Sequence, residues 1–100
     1  MQKEIAPKDW GSFFESFTMT HDHWRVSVDG ENSSIPLEGI VARGSRIDIH
    51  LGADISNHRR ITVEAARVLV EQRDGSEESV LIEATDGHRV ALRLRAPADT

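Results

Sequence analysis

The stretch that decides the fold is PKDWGSFFESFTMTHDHWRVSV, residues 7–28. In its first half, four large aromatic residues recur at the i, i+3, i+4, i+7 spacing of one helical face: Trp10, Phe13, Phe14 and Phe17. After Trp24 the apolar spacing falls to two, because Val26 and Val28 alternate with polar residues. A spacing of 3.6 indicates a helix and a spacing of two indicates a strand. The stretch therefore predicts a helix that leads into β structure.

Both ends of the predicted helix carry residues typical of helix boundaries. Pro7 suits the first helical position, where its missing N–H costs nothing, and Asp9 complements the positive end of the helix dipole. At the other end, threonines and the His21-Asp22-His23 cluster lower helix propensity. We therefore predict a helix over about residues 7–20.

The rest of the chain has the pattern of a β-meander. Apolar residues alternate with polar ones in short runs, and Asp-Gly pairs that favour turns follow or separate these runs, at Asp29-Gly30, Asp74-Gly75 and Asp86-Gly87. Gly39, followed by two adjacent apolar residues, predicts a β-bulge. Residues 63–72 could also form a helix, but the β-branched residues at Val68 and Val70 favour a strand.

These patterns predict an α+β fold in a single domain of residues 1–100. We expect the amphipathic helix to pack on a strongly bent, mostly antiparallel sheet of five or six strands, in the manner of an SH3-like or split barrel. The β-rich part covers residues 24–95, and residues 96–100 form a loose tail. The predicted core contains the aromatic residues and the end of the last strand: Trp10, Phe13, Phe14, Phe17, Trp24, Leu92 and Leu94. Function is then expected on loops or strand edges.

Composition narrows the classes of function. The chain has 12 basic and 17 acidic residues, a formal net charge of −5, and no cysteine. Without cysteine, disulfide frameworks, thiol catalysis and cysteine-ligated zinc are excluded. Net negative charge disfavours nucleic acid and anionic membranes as partners, and no apolar run resembles a signal peptide or a membrane span. We predict a cytoplasmic protein without a cofactor.

Several features together resemble a family of short bacterial proteins that forms a domain of unknown function. The features are Glu4-Ile5, the Trp10 to Phe17 aromatic pattern, His21, Trp24-Arg25-Val26 and Pro36-Leu37-Glu38-Gly39-Ile40. The similarity continues through residues 56–61 and the Asp86-Gly87 turn, and so covers nearly the whole chain. The resemblance implies a helix before a β-rich domain, and it implies no activity and no site residues.

Histidines are the candidate residues for metal binding or catalysis. His21 and His23 form a His-x-His pair, which can converge on zinc when it lies on a strand, but no third ligand follows at a recognisable spacing. The alternative is a helix C-terminus where the dipole and a backbone carbonyl satisfy the imidazole. On another predicted strand, Arg46, Asp48 and His50 share one face, where Asp48 could orient His50 as a general base or the three could simply face solvent.

Arginines and glutamates give two further candidates. Arg89, Arg93 and Arg95 share one face of the last predicted strand and could bind nucleic acid, although stacking aromatics are not interleaved with them. The alternative is that they pair across the sheet with Glu71 and Glu83. Glu77-Glu78 is predicted to be a solvated loop.

The sequence therefore favours a non-catalytic protein-interaction or assembly module, which could be a homo-oligomer. One alternative is a small metal-binding protein or hydrolase that uses His21, His23 or His50. The other is a nucleic-acid-binding regulatory domain that uses Arg89, Arg93 and Arg95.

Overall fold

The change of apolar spacing near Trp24 marks the boundary between a helix and a sheet in the structure. A computed structural model describes residues 2–21, 24–29, 35–52, 58–74 and 77–96. Its elements follow in the order β1 (Gln2–Ile5), a 3₁₀ turn (Pro7–Asp9), α1 (Trp10–Thr20), β2 (Arg25–Val28), β3 (Ile35–Arg43), β4 (Arg46–Leu51), β5 (Arg59–Asp74), β6 (Glu77–Ala84) and β7 (Arg89–Arg95). As predicted, the helix ends at Thr20, and the N–H of the next residue, His21, bonds the carbonyl of Phe17 at 3.0 Å. At the other end, the predicted first turn at Pro7 is a 3₁₀ turn, and the α-helix itself begins at Trp10.

The strands form an antiparallel sheet that closes on itself. The order is β1-β5-β4-β3-β2-β7-β6, and β5 also pairs with β6, so that six strands make a closed barrel and β1 lies outside the ring. Closure removes the exposed edges that an open sheet of this size would have. The predicted α+β fold, with a helix on a strongly bent antiparallel sheet, is confirmed.

β5 makes the closure possible because it is long enough to serve two neighbours. Residues 59–64 pair with β4, while the second half of the strand, from Ala65 onward, pairs with β6. β1 pairs with residues 68–71 on the edge that β4 no longer covers. The choice of a strand over a helix for residues 63–72 is therefore confirmed. A helix there would leave the ring open.

β1 is a strand that the sequence analysis did not predict. Only Ile5 of its four residues is buried, so too few apolar residues are present to reveal a period of two. The strand is held by tertiary contacts instead. Arg67 on β5 donates from Nη2 to Glu4 at 2.9 Å and from Nη1 to Glu83 at 3.2 Å, and thus links β1, β5 and β6.

The predicted bulge at Gly39 is present and determines how the helix meets the sheet. The pairing of β3 with β4 shifts register between Leu37 and Gly39. Before the bulge, the N–H of Leu37 bonds the Trp24 carbonyl; after it, Ile40 directs its N–H and carbonyl at α1. Thr18 of α1 accepts from the Ile40 N–H at 3.0 Å and donates to its carbonyl at 3.2 Å, and so occupies the place of a neighbouring strand.

The barrel interior is filled by alternating strand residues and by one face of α1. From the helix, Trp10, Phe14 and Phe17 are buried, and the indole N–H of Trp10 donates to the Ile5 carbonyl at 2.9 Å. Of the other residues assigned to the core by sequence, Leu92 and Leu94 are buried, whereas Phe13 and Trp24 are half-buried against the core.

The structure describes only part of the predicted Asp-Gly turns. Asp29 (φ 51°) and Gly87 (φ 93°) both have positive φ, as tight turns between strands require. Gly30, Gly75, residues 53–57 and residues 97–100 of the predicted tail lie outside the described residues.

Substitution of Phe14 tests whether the helix face is core. Phe14 is fully buried, so Phe14→Ala should lower the free energy of unfolding by about 3–5 kcal/mol, through lost burial and the cavity left behind. Met19→Ala on the same helix is the control, because Met19 is 78% exposed and should change stability little. Urea denaturation of both variants gives the comparison. Equal, small effects would show that α1 is not part of the core.

Candidate functional site

A cavity of about 490 Å³ lies between α1 and the part of the sheet formed by β1, β5 and β6. Its apolar wall consists of Ile5, Phe13, Phe17 and Val70, and its polar groups belong to Lys3, Ser16, Thr20, His21 and Glu78. This volume is typical of sites for small organic molecules, and so is the combination of apolar walls with a few polar groups. The cavity is the strongest candidate site among the described residues.

Glu78 brings a carboxylate to the inner side of the sheet. Glu78 shares a face of β6 with Val80 and Ile82, which are both buried, and it pairs with the buried Leu94 of β7. The predicted solvated loop at Glu77-Glu78 is therefore wrong, because β6 begins at Glu77. The signal was present in the sequence, since counting back by two from Ile82 through Val80 places Glu78 on the buried face.

His21 lies at the C-terminal end of α1 and is held there by its surroundings. Its ring stacks on Phe17, with the ring centroids 3.9 Å apart, and meets the Trp24 ring edge-on at 4.5 Å. Its Nδ1 is 2.9 Å from the carbonyl oxygen of Phe17. This is the helix-terminus arrangement that the sequence offered as the alternative to a metal ligand, with a backbone carbonyl satisfying the imidazole.

His21 and Glu78 form a nearly buried polar pair at the base of the cavity. The Nε2 of His21 contacts the Oε2 of Glu78, and the two side chains are only 11% and 13% exposed. Because the Phe17 carbonyl can only accept, Nδ1 must carry a proton. The contact at Nε2 needs one further proton, on either partner, to avoid two facing lone pairs. The pair therefore has no net charge in either arrangement.

The same proton placement decides whether His21 can act as a base. Thr20 Oγ1 lies 2.9 Å from His21 Nδ1, so that Thr20, His21 and Glu78 superficially resemble a hydroxyl–imidazole–carboxylate triad. A base must accept the hydroxyl proton at that nitrogen, but Nδ1 is already protonated toward Phe17. The hydroxyl of Thr20 has its own acceptors in the carbonyls of Ser16 and Phe17, each at 3.2 Å. The arrangement suits binding and not nucleophilic catalysis.

Lys3 stands at the β1 side of the cavity. It points to the same side of β1 as the buried Ile5, two residues away, and pairs opposite Val70 of β5. The residue is exposed and lines the cavity, so its ammonium group is placed at the mouth. Neither Lys3 nor Glu78 was identified as a site residue from the sequence, because each acquires its role only through pairing with strands distant in sequence.

The second histidine candidate, His50, is not oriented by Asp48. Asp48 accepts from Thr62 Oγ1 at 2.8 Å and from Arg46 Nε at 3.5 Å. It is also buried, so the alternative that all three side chains simply face solvent does not hold for Asp48. The hydrogen bond from Thr62 holds the pKa of Asp48 below its ordinary value; burial opposes this effect, and the charges of Arg46 and Arg60 support it.

The remaining histidines do not assemble a metal site among the described residues. His50 lies near His58, with ring centroids 6.1 Å apart, and His58 contacts Glu38 at 3.5 Å. Over these residues, no group of three or more His, Asp or Glu side chains is arranged to hold a metal ion. His23, the partner of His21 in the predicted pair, lies outside the described part of the chain.

The arginine face of β7 is partly neutralised by β6. Arg93 donates from Nε to Glu77 at 2.7 Å, and Arg89 lies 3.4 Å from Glu83. The suggested pairing with Glu83 is thus present for Arg89. Arg95 has Arg25 and Glu77 as its cross-strand neighbours.

A groove on the opposite side of α1 carries exposed apolar residues. Of the large hydrophobic residues that the structure describes, Met19 is 78% exposed and Val41 is 42% exposed, and both line this groove between α1 and β3. Exposed apolar side chains that lie together indicate contact with another molecule more strongly than scattered ones do.

Comparisons with protein families, with curated protein sequences and with solved structures found no match to this chain. In the part of the chain that the structure describes, no helix is long and apolar enough to cross a membrane.

Thr62→Val tests the cause of the lowered pKa of Asp48. Without the hydroxyl donor, the pKa of Asp48 should rise toward its ordinary value. A carboxyl group whose pKa is lower in the folded state stabilises the protein at pH values above its unfolded-state pKa. The stability of the wild type should therefore fall as the pH drops toward the folded-state pKa of Asp48. This fall should be smaller in Thr62→Val. Carboxyl NMR titration and urea unfolding at several pH values measure both effects. Thr85→Val, in the exposed β6–β7 turn, should leave the titration of Asp48 unchanged; an unshifted pKa in Thr62→Val would contradict the assignment.

Proposed function

We propose that this domain is a non-catalytic binding module that holds an apolar organic group in the cavity between α1 and β1, β5 and β6. The observation that supports the proposal is the cavity itself, which is lined by Phe13, Phe17 and Val70 and by the nearly buried pair of His21 and Glu78.

The absence of net charge at the cavity base supports a binding role. An uncompensated buried charge would call for an oppositely charged ligand or a metal, whereas His21 and Glu78 compensate each other. His21 is held by Phe17 on one side and by Glu78 on the other, which fixes its ring and leaves no nitrogen lone pair for a substrate. The alternative hydrolase function loses support for the same reason.

A neutral fluorescent probe tests this proposal. N-Phenyl-1-naphthylamine should bind with 1:1 stoichiometry and an increase in fluorescence, because the cavity offers it apolar walls. Ser16→Trp should abolish the increase, since Ser16 is exposed at the cavity and a large side chain there blocks entry.

Thr85→Trp is the control, because Thr85 is exposed in the β6–β7 turn and does not line the cavity. It should bind the probe as the wild type does. Circular dichroism and thermal unfolding verify that both variants are folded. No binding to the wild type, or equal binding to both variants, would overturn the proposal.

Self-association is the second candidate function, and the exposed groove at Met19 and Val41 is the observation that favours it. Glu15 lines the helix side of this groove, and Arg43 lies on the outward face of β3, two residues beyond Val41. A twofold copy could set Glu15 of one chain against Arg43 of the other while both cover the apolar residues. A second copy of this chain is therefore the partner that the charges suit.

Sedimentation equilibrium tests self-association. The wild type should show dimers at concentrations of a few hundred micromolar, and Met19→Lys should weaken dimerisation about tenfold or more by placing a charge in the contact. Thr85→Lys, which adds the same charge in a distant turn, should behave as the wild type does. A wild type that stays monomeric throughout this range would exclude the candidate.

Three expectations from the sequence stay predictions: the cytoplasmic location, the bacterial family and the protein-interaction role as opposed to nucleic-acid binding. The ion pairs of Arg89 and Arg93 with Glu83 and Glu77 speak against the nucleic-acid alternative, because they reduce the positive potential of that face.

A further inference from the structure

The cavity has chemically different ends. Lys3 places a cation at the mouth, and Glu78 places a carboxylate at the base. The two residues lie on opposite sides of β5, because β1 pairs with one of its edges and β6 with the other. From the pairing of Lys3 with Val70 and of Glu78 with Gln72, their Cα atoms are separated by two strand spacings and two residues, or about 12 Å.

From these features we infer that the cavity takes an aromatic carboxylic acid whose far end carries a hydroxyl group. This inference rests on the proposed binding function and names its ligand class. The carboxylate lies at Lys3, the ring lies against Phe13 and Phe17, and the hydroxyl group donates to Glu78.

The choice of an acid follows from the balance of charge in the cavity. Because His21 and Glu78 neutralise each other, Lys3 is the one uncompensated charge among the described residues that line the cavity. An anionic group gains attraction from Lys3. An ammonium group is repelled by Lys3 and meets no free negative charge at the base.

The choice of a hydroxyl donor follows from the free oxygen of Glu78. Its Oε2, which contacts His21, is a buried side-chain oxygen that no hydrogen-bond donor of the described residues satisfies. A carboxylate oxygen in a cavity of low polarity is stabilised by a neutral O–H donor, which adds no charge. Lys3 and Glu78 both line the cavity, so a ligand that contacts both carries its two polar groups at opposite ends.

The phenylalanines that line the cavity support an aromatic ligand. Phe13 and Phe17 lie with centroids 5.6 Å apart, and Phe14 meets Phe13 edge-on at 5.1 Å, so the helix already presents an aromatic cluster to this side. A further ring can extend the cluster in an offset or edge-to-face arrangement, each such contact adding to the simple burial of apolar area.

Three related probes test the inference: 3-(4-hydroxyphenyl)propionate, 3-phenylpropionate and tyramine. Binding is measured on the full chain by amide chemical-shift changes at the cavity residues. The hydroxylated acid should bind about tenfold more tightly than 3-phenylpropionate, because 3-phenylpropionate lacks the hydroxyl group that bonds Glu78. It should also bind at least about tenfold more tightly than tyramine, in which an ammonium group replaces the carboxylate.

Lys3→Met should weaken binding of the hydroxylated acid about fivefold, as expected for loss of one largely exposed ion pair. Lys8→Met is the matched control, because Lys8 is exposed and does not line the cavity. It should leave the affinity unchanged. An equal loss in both variants would mean that only net charge matters, and would overturn the assignment of Lys3.

The outcomes separate this inference from the proposed function. If the naphthylamine probe binds but tyramine binds as tightly as the acid, or none of the three probes binds, the ligand class is wrong and the binding function stands. If the naphthylamine probe also fails to bind, the binding function itself is wrong.

Discussion

The structure depends on the burial of one face of α1 against the inside of the barrel. Among the described residues, β2 pairs with β3 at Arg25–Pro36 and Val26–Ile35, and the N–H of Leu37 bonds the carbonyl of Trp24. Thr18 of α1 bonds Ile40 just beyond the bulge, and Phe14 and Phe17 fill the space beneath. Without the helix, the N–H and the carbonyl of Ile40 would lose their hydrogen-bond partner and the interior would be open to water. The helix therefore completes the barrel as a strand would.

The cavity is a consequence of how the helix completes the barrel. α1 ends at Thr20, and the ring of the next residue, His21, meets the carboxylate of Glu78 at the start of β6. Replacing a buried polar pair by apolar residues is often neutral or stabilising, so such a pair is weak evidence for stability. It does fix where the helix end lies relative to β6. The cavity lies beside this contact, and Phe13, Phe17 and Val70 line it.

Local patterns in the sequence predicted the elements, and they failed where a role depends on pairing between distant residues. The aromatic spacing from Trp10 to Phe17 and the β-branched residues of β5 predicted a helix and a strand correctly, because each pattern is contained within its own element. An exposed face was one alternative for Asp48, but Thr62 from the next strand covers it. The charge of Glu78 favoured a solvated loop, although its position in the alternation with Val80 and Ile82 indicated the buried face of a strand. Lys3 lies on a strand that is too short to show a period.

Since the same helix completes the core and lines the cavity, folding and binding are linked in this domain. A ligand that binds only the folded state raises the free energy of unfolding by RT ln(1 + [L]/Kd). Changes at Phe17 or Ile5 would alter stability and affinity together, because both side chains are buried in the core and also line the cavity. Lys3 and Ser16 are exposed and line the cavity without being core residues. These two positions are where the selectivity of the cavity can change while the barrel is conserved.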